Sequence, residues 1–215
     1  MNASNFPVRM DDDDDEPETP APAPGKPDDA KQAPLGPMIQ RKFLEQRKIM
    51  LWGEVSDRSC REVTEKFLYL EADAPGKEIT FYLNSPGGSI TAGMAILDTM
   101  RLVEPNIVTY CVGQAASMAA VLLACGAKGK RYALPHARVL IHQPSMSGLA
   151  GQASDIDIYA REILRMREIL NGILADATGQ DVERIARDVD RDYIMEAEQA
   201  VAYGMVDKII AKREK

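Results

Sequence analysis

Among 215 residues only two are histidines, His136 and His142, so the candidates for a general base near neutral pH are few. His142 follows Val139-Leu140-Ile141 and precedes Gln143-Pro144, at the end of an expected strand, where α/β sheets collect their catalytic groups. A structural histidine is the competing reading there, and His136, in a turn led by Pro135, reads as a surface residue. Ser117 lies in Gly113-Gln114-Ala115-Ala116-Ser117-Met118, between a β-branched run (107–112) and an apolar run (118–124). A serine at such a junction is a helix cap, or a nucleophile at the positive end of a helix beside amides free to meet an oxyanion. Asn84-Ser85-Pro86-Gly87-Gly88 is either a type II turn or a clamp of backbone amides for an oxyanion or a peptide. It is not a nucleotide loop, since neither GxGxxG nor Gly-Lys-Ser/Thr is present. Arg187-Asp188-Val189-Asp190-Arg191-Asp192 offers three acids to orient a histidine, although alternating charges also mark a solvated face.

The elements that must position these residues alternate between strand and helix. Strands are expected at 48–52, 78–83, 107–112, 130–134, 137–142 and 205–210. Helices are expected at 39–47, from Ser56 or Asp57 to Glu71, from Ser89 or Ile90 to Val103, and over 118–125, with Gly126 ending the last in a left-handed cap. Helices at 155–177, 181–189 and 196–203 follow. This order implies β-α-β crossovers and a largely parallel sheet in a single α/β domain. The longest helix carries Ile156, Tyr159, Ile163, Met166, Leu170, Ile173 and Ala177 three and four apart, a narrow seam of the kind that packs against a second helix, so it is expected to project toward a partner.

Charge and composition narrow the function classes. Of the net charge of −7, the first 38 residues carry −6, and the remainder is nearly neutral, which excludes a basic nucleic-acid surface. Those residues are rich in Pro, Asp and Ala and are expected to form a disordered tail, residues 1–38, ahead of a folded domain, residues 39–215. Cys60, Cys111 and Cys125 are odd in number and show no CxxC pair, so neither a disulfide framework nor a metal site is expected. No membrane span and no basic-then-apolar leader is evident, and the expected location is the cytoplasm.

Taken together, residues 84–100 (NSPGGSITAGMAILDTM), 113–118 (GQAASM), 129–144 (GKRYALPHARVLIHQP) and 187–192 (RDVDRD) resemble the proteolytic subunit of the Clp protease, the ClpP family, with the motifs in order from about Phe43 onward. The resemblance implies a spiral ββα fold, related to that of the crotonases, and a serine peptidase triad of Ser117, His142 and Asp192. It implies an oxyanion hole formed by the amides of Gly88 and Met118, and ring-to-ring ion pairs at Asp190 and Arg191. Substrate would pair as an added strand with residues 87–90 and about 145–151. The long helix would be the family's interlocking handle. The partners implied are an AAA+ unfoldase of the ClpX, ClpA or ClpC type, unfolded polypeptides, and thirteen further subunits in a tetradecamer of two seven-membered rings, or a mixed ring with a paralogue. The resemblance implies no metal or other cofactor, ATP being used by the partner. The segment 32–40 (QAPLGPMIQ) departs from the apolar N-terminal strand of the family. A catalytically silent ring subunit and an acyl-CoA enzyme of the crotonase type are the alternatives; the first lacks a triad member and the second has no use for Ser117 and His142 together.

Overall fold

The computed structural model describes residues 35–145 and 151–212. The tail expected over the first 38 residues lies outside them up to residue 34, as does most of the second substrate-pairing segment, residues 146–150. The described residues form one mixed α/β domain of seven strands and seven helices. Helix α1 (Leu35–Glu45) starts ahead of the expected Ile39, and Pro37 is tolerated because the amides of a first turn have no helical acceptor. It is followed by β1 (Lys48–Trp52), α2 (Asp57–Asp73), β2 (Ile79–Ser85), α3 (Ile90–Leu102), β3 (Ile107–Ala116) and α4 (Met118–Ala124). Then come β4 (Arg131–Ala133), β5 (Arg138–Ile141), α5 (Ala153–Thr178), α6 (Val182–Asp188), β6 (Tyr193–Glu196), α7 (Ala197–Tyr203) and β7 (Lys208–Ile209).

The sheet runs β1-β2-β3-β4-β7 with every pair parallel, as crossovers through helices require. Its strands are long enough in branched and aromatic residues to bury one face fully: Ile79, Phe81 and Leu83 of β2 are 0% exposed. Phe81 meets Phe67 of α2 edge-to-face at 5.3 Å, a contact worth about 1 kcal/mol beyond the area buried. On the opposite face Tyr82, Tyr110 and Tyr132, which the register places side by side, stack across β2, β3 and β4.

Strand β3 is longer than its β-branched run and changes neighbours along its length. Thr109–Cys111 pair with β4, whereas Gln114–Ala116 pair with β5. Between these stretches the register with β2 slips, Leu83 facing Cys111 and Ser85 facing Ala115, so β3 carries a bulge at residues 112–114. The bulge bends the strand out of the first sheet half and into the second. β5 pairs in turn with β6, antiparallel, a strand absent from the sequence-based expectation.

Helix α4 is buried along its whole length. It ends at Cys125 with φ −86°, and Gly126 is not left-handed as expected. Gly126 is instead a point of close approach, where a Cβ would run into the side chain of Thr109, whose hydroxyl donates to the carbonyl of Leu123 at 2.9 Å. The far ends of α4 and α5 are tied by Arg131, 5% exposed, whose Nη1 donates to the carbonyls of Ala124 (3.0 Å) and Ala177 (2.8 Å). Its Nε and Nη2 hold Asp207 at 3.0 and 2.6 Å. Burial alone raises the Asp207 carboxyl, but the hydrogen bonds and charge of Arg131 outweigh it and hold the group below its usual value. Helix α5 is half docked. Leu170, Ile173 and Leu174 are buried near its C-terminal end, while Ile156, Ile158, Tyr159 and Leu164 are exposed. No helix among the described residues is long and apolar enough to cross a membrane.

Candidate active site

Ser117 stands at the turn from β3 into α4 with φ 54° and ψ −124°, a backbone conformation that costs a residue other than glycine on the order of 1–3 kcal/mol. Two neighbours hold it there. Its amide donates to the carbonyl of Leu140 at 2.8 Å, continuing the β3–β5 ladder by one rung. Gly87, φ +91°, lies against it so closely that a Cβ at that position would sit 2.6 Å from Ser117 Cβ and 2.7 Å from the carbonyl oxygen of Ala116. The capping role left open by the sequence is not the one adopted, since the Ser117 side chain makes no cap hydrogen bond.

His142 is the residue immediately beyond β5. The antiparallel register pairs Ile141 with Tyr193, so the next position on each strand brings His142 opposite Asp192. Their side chains meet, Nδ1 to Oδ1, at 3.2 Å, with the imidazole 32% and the carboxylate 65% exposed. The three acids are thereby sorted by their partners. Asp188 accepts the hydroxyl of Tyr203 at 2.8 Å. Burial first, then Asp188, pushes the titration of that phenol upward. Asp190 accepts Gln143 Nε2 at 3.3 Å, with its own carbonyl taking the same nitrogen at 3.1 Å. Asp192 alone of the three reaches the imidazole. The Gln143 amide also donates to Val189 at 2.7 Å, which fastens the chain after His142 to the loop that presents Asp192. Arg191 is 93% exposed and 3.9 Å from Asp190.

The glycine loop faces the same corner. The Gly87 amide donates to Ser85 Oγ at 3.1 Å, and the Gly87 carbonyl accepts from Val55 at 2.8 Å. Gly88, φ +145°, bridges to Val55, whose backbone occupies the space a Cβ would need. After Pro86, the φ of Gly87 fits the third position of a type II turn, so the turn and the ligand-facing loop are the same structure. Among the described residues neither the Gly88 nor the Met118 amide donates to a protein acceptor; for Met118 this is the ordinary state of a first helical residue.

Ser117 and His142 line one slot with Ile90, Val121, Leu170 and Leu174, which leaves about 30 Å³, room for a water-sized guest. No hydrogen bond joins Ser117 Oγ to the imidazole among the described residues. The cluster contains a hydroxyl on a strained junction, an imidazole whose Nδ1 is engaged by a carboxylate, and backbone donors nearby, which are the components of acyl transfer. No group of three or more His, Cys, Asp or Glu side chains among the described residues is gathered as a metal would need. The three thiols stand apart from this chemistry, and burial pushes that of Cys111 up to about 12.

The sequence motifs located the serine, the histidine and the glycine loop. Three supports escaped them: strand β6, the Leu140 carbonyl that holds Ser117, and Asn171 on α5, which shares the slot. The run Tyr193-Ile194-Met195 was the available signal for β6, being aromatic and branched. A family model described as Clp protease matches residues 35–213.

Proposed function

Because the chain belongs to the Clp protease family, we propose that it is a serine endopeptidase subunit with Ser117 as nucleophile, His142 as base and Asp192 as the acid that orients the base. The observation that carries this reading is the His142–Asp192 contact at 3.2 Å on a strand pair whose next rung holds the backbone of Ser117. In the reaction, His142 Nε2 takes the proton of Ser117 Oγ as the oxygen attacks a peptide carbonyl. Asp192 accepts from Nδ1–H, fixes the tautomer and stabilises the imidazolium. The amides of Gly88 and Met118 meet the charge that develops on the carbonyl oxygen. Imidazolium then protonates the departing amine, and water reverses the sequence on the acyl-serine. This requires no metal and no nucleotide on the chain itself.

The substrates of this reading are unfolded polypeptides delivered by an AAA+ unfoldase, cut inside a chamber of two seven-membered rings, homomeric or mixed with a paralogue, in the cytoplasm. The exposed half of α5 supports its assignment as the handle between rings, and the solvent-facing Asp190 and Arg191 are available for ion pairs across that boundary. The division at residue 38 into an acidic tail and a peptidase domain belongs to the same proposal. A silent architectural subunit is favoured by one observation only, the missing hydrogen bond between Ser117 and His142. Such bonds are often long in unliganded sites and tighten on substrate.

A fluorophosphonate probe tests the reading. It is expected to label Ser117, and Ser117→Ala is expected to lower peptide turnover by about 10⁵-fold or more while the particle stays assembled in sizing experiments. Labelling at another residue, or turnover retained in the variant, overturns the assignment.

A further inference from the structure

The slot beside Ser117 is walled mainly by hydrocarbon, from Ile90, Val121, Ile141, Leu170 and Leu174 among others. Asn171 breaks that pattern. It lies next to Leu170 on the docked end of α5, is 6% exposed, and faces the slot with a carboxamide that makes no hydrogen bond among the described residues. A leucine of similar branching would serve packing better, because a buried amide without a partner gives up its hydrogen bonds to water and gains none in return. Folding therefore does not account for the amide, and a guest in the slot does. Any side chain entering beside the attacking hydroxyl belongs to the residue whose carbonyl is attacked, since that side chain branches one bond away from the reacting carbon.

Resting on the peptidase reading, we propose that Asn171 determines specificity: its carboxamide hydrogen-bonds the uncharged polar end of the substrate side chain that precedes the scissile bond. An amide-ended side chain such as glutamine is thereby favoured over a hydrocarbon of similar length. The walls contain no carboxylate and no Lys or Arg, so a charged side chain gains nothing there. The competing partner for Asn171 is water, reaching it from a more open groove of about 330 Å³ between α5 and α6, bordered by Arg167, Glu168 and Glu183. Water in that place would leave the enzyme indifferent to the end of the side chain.

The test uses the full-length protein in its assembled form and two fluorogenic peptides that differ only in glutamine or leucine before the reporter group. The readout is the ratio of kcat/KM for the two, which a purely structural role of Asn171 would not move. Asn171→Leu is expected to lower the glutamine-to-leucine ratio about tenfold, the worth of one neutral hydrogen bond. Asn171→Ser, which keeps a hydroxyl and avoids overpacking the slot, is expected to lower it by about threefold. A ratio within a factor of two of the native value in both variants overturns the proposal, as does an equal loss on both peptides. Fluorophosphonate labelling of the native protein separates the two levels: no labelling at Ser117 overturns the peptidase reading, whereas labelling with an unchanged ratio overturns the role of Asn171 alone.

Discussion

Ser89 and Ser117 each stand where a parallel strand hands over to a helix of the core, yet only Ser89 behaves as a cap. Its side chain accepts the amide of Ala92 at 3.3 Å from a backbone with φ −55°, and α3 starts on a satisfied donor. Ser117 has φ 54° and makes no such bond, so α4 starts uncapped. Residue type and position are shared, so the difference comes from the neighbours. Ser117 is held by the Leu140 carbonyl on one side and pressed by Gly87 on the other, whereas the amide of Ser89 takes the carbonyl of Val55 at 2.8 Å without leaving ordinary φ. A serine hydroxyl at a helix start is spent on the helix when the backbone is free to relax, and is left over for chemistry when tertiary contacts hold the backbone elsewhere.

The comparison breaks most visibly at Gly87. Gly87→Ala forces Ser117 to shift, and a displacement near 1 Å in a reacting group is worth about 10²-fold in turnover. Gly53→Ala is the matched control, because Gly53 also has positive φ, at +86°, but a Cβ there meets nothing within 4 Å. Similar losses of turnover in both variants would show that backbone strain alone, and not contact with Ser117, is responsible.

A smaller effect is expected at the far end of α4, where Arg131 holds the last turn and depends on Asp207. The folded state depresses the Asp207 carboxyl, so folding favours its ionised form. Its contribution is intact above the ordinary carboxylate range and is lost as the pH falls through the depressed folded value. Asp207→Asn is expected to cost about 2 kcal/mol in urea unfolding at neutral pH and to flatten the acid limb of the stability profile. An unaltered acid limb would remove Asp207 from the account of α4. The smallest effect belongs to Ser89→Ala, about 1 kcal/mol of stability from the lost cap, with turnover within a factor of two. A large loss of turnover there would erase the distinction between the two junctions.

Both junctions are visible in the sequence as serines between a branched run and an apolar one, and the capped helices begin where Ser56 and Ser89 announce them. Ser117 was legible as a position but not as a conformation, because the groups that strain it, Leu140 and Gly87, are remote in the chain. The continuation of β3 through Gly113-Gln114-Ala115-Ala116 reads as a turn until its second partner strand is known. Strand β6 has four residues, of which Met195 alone is buried, so no alternation marks it. Without β6 the choice among Asp188, Asp190 and Asp192 rests on resemblance, and with it the choice is a matter of register. In α5, the expected seam included Leu170 and Ile173 but passed over Asn171 and Leu174, since a docked helix end buries a broader stripe than a two-helix seam.

The rung between Ser117 and Leu140 has a mechanical consequence. Hydroxyl, imidazole and carboxylate all ride on one ribbon of hydrogen bonds, from the end of β3 through β5 to β6. A thermal sway of that ribbon is common to all three and cancels in the distances between them, as vibration cancels between instruments bolted to one bench. The amide of Gly88 rides on a different support, the chain at Val55. Positional noise is thus confined to one seam, between the groups that move protons and one of the donors that would greet the new charge.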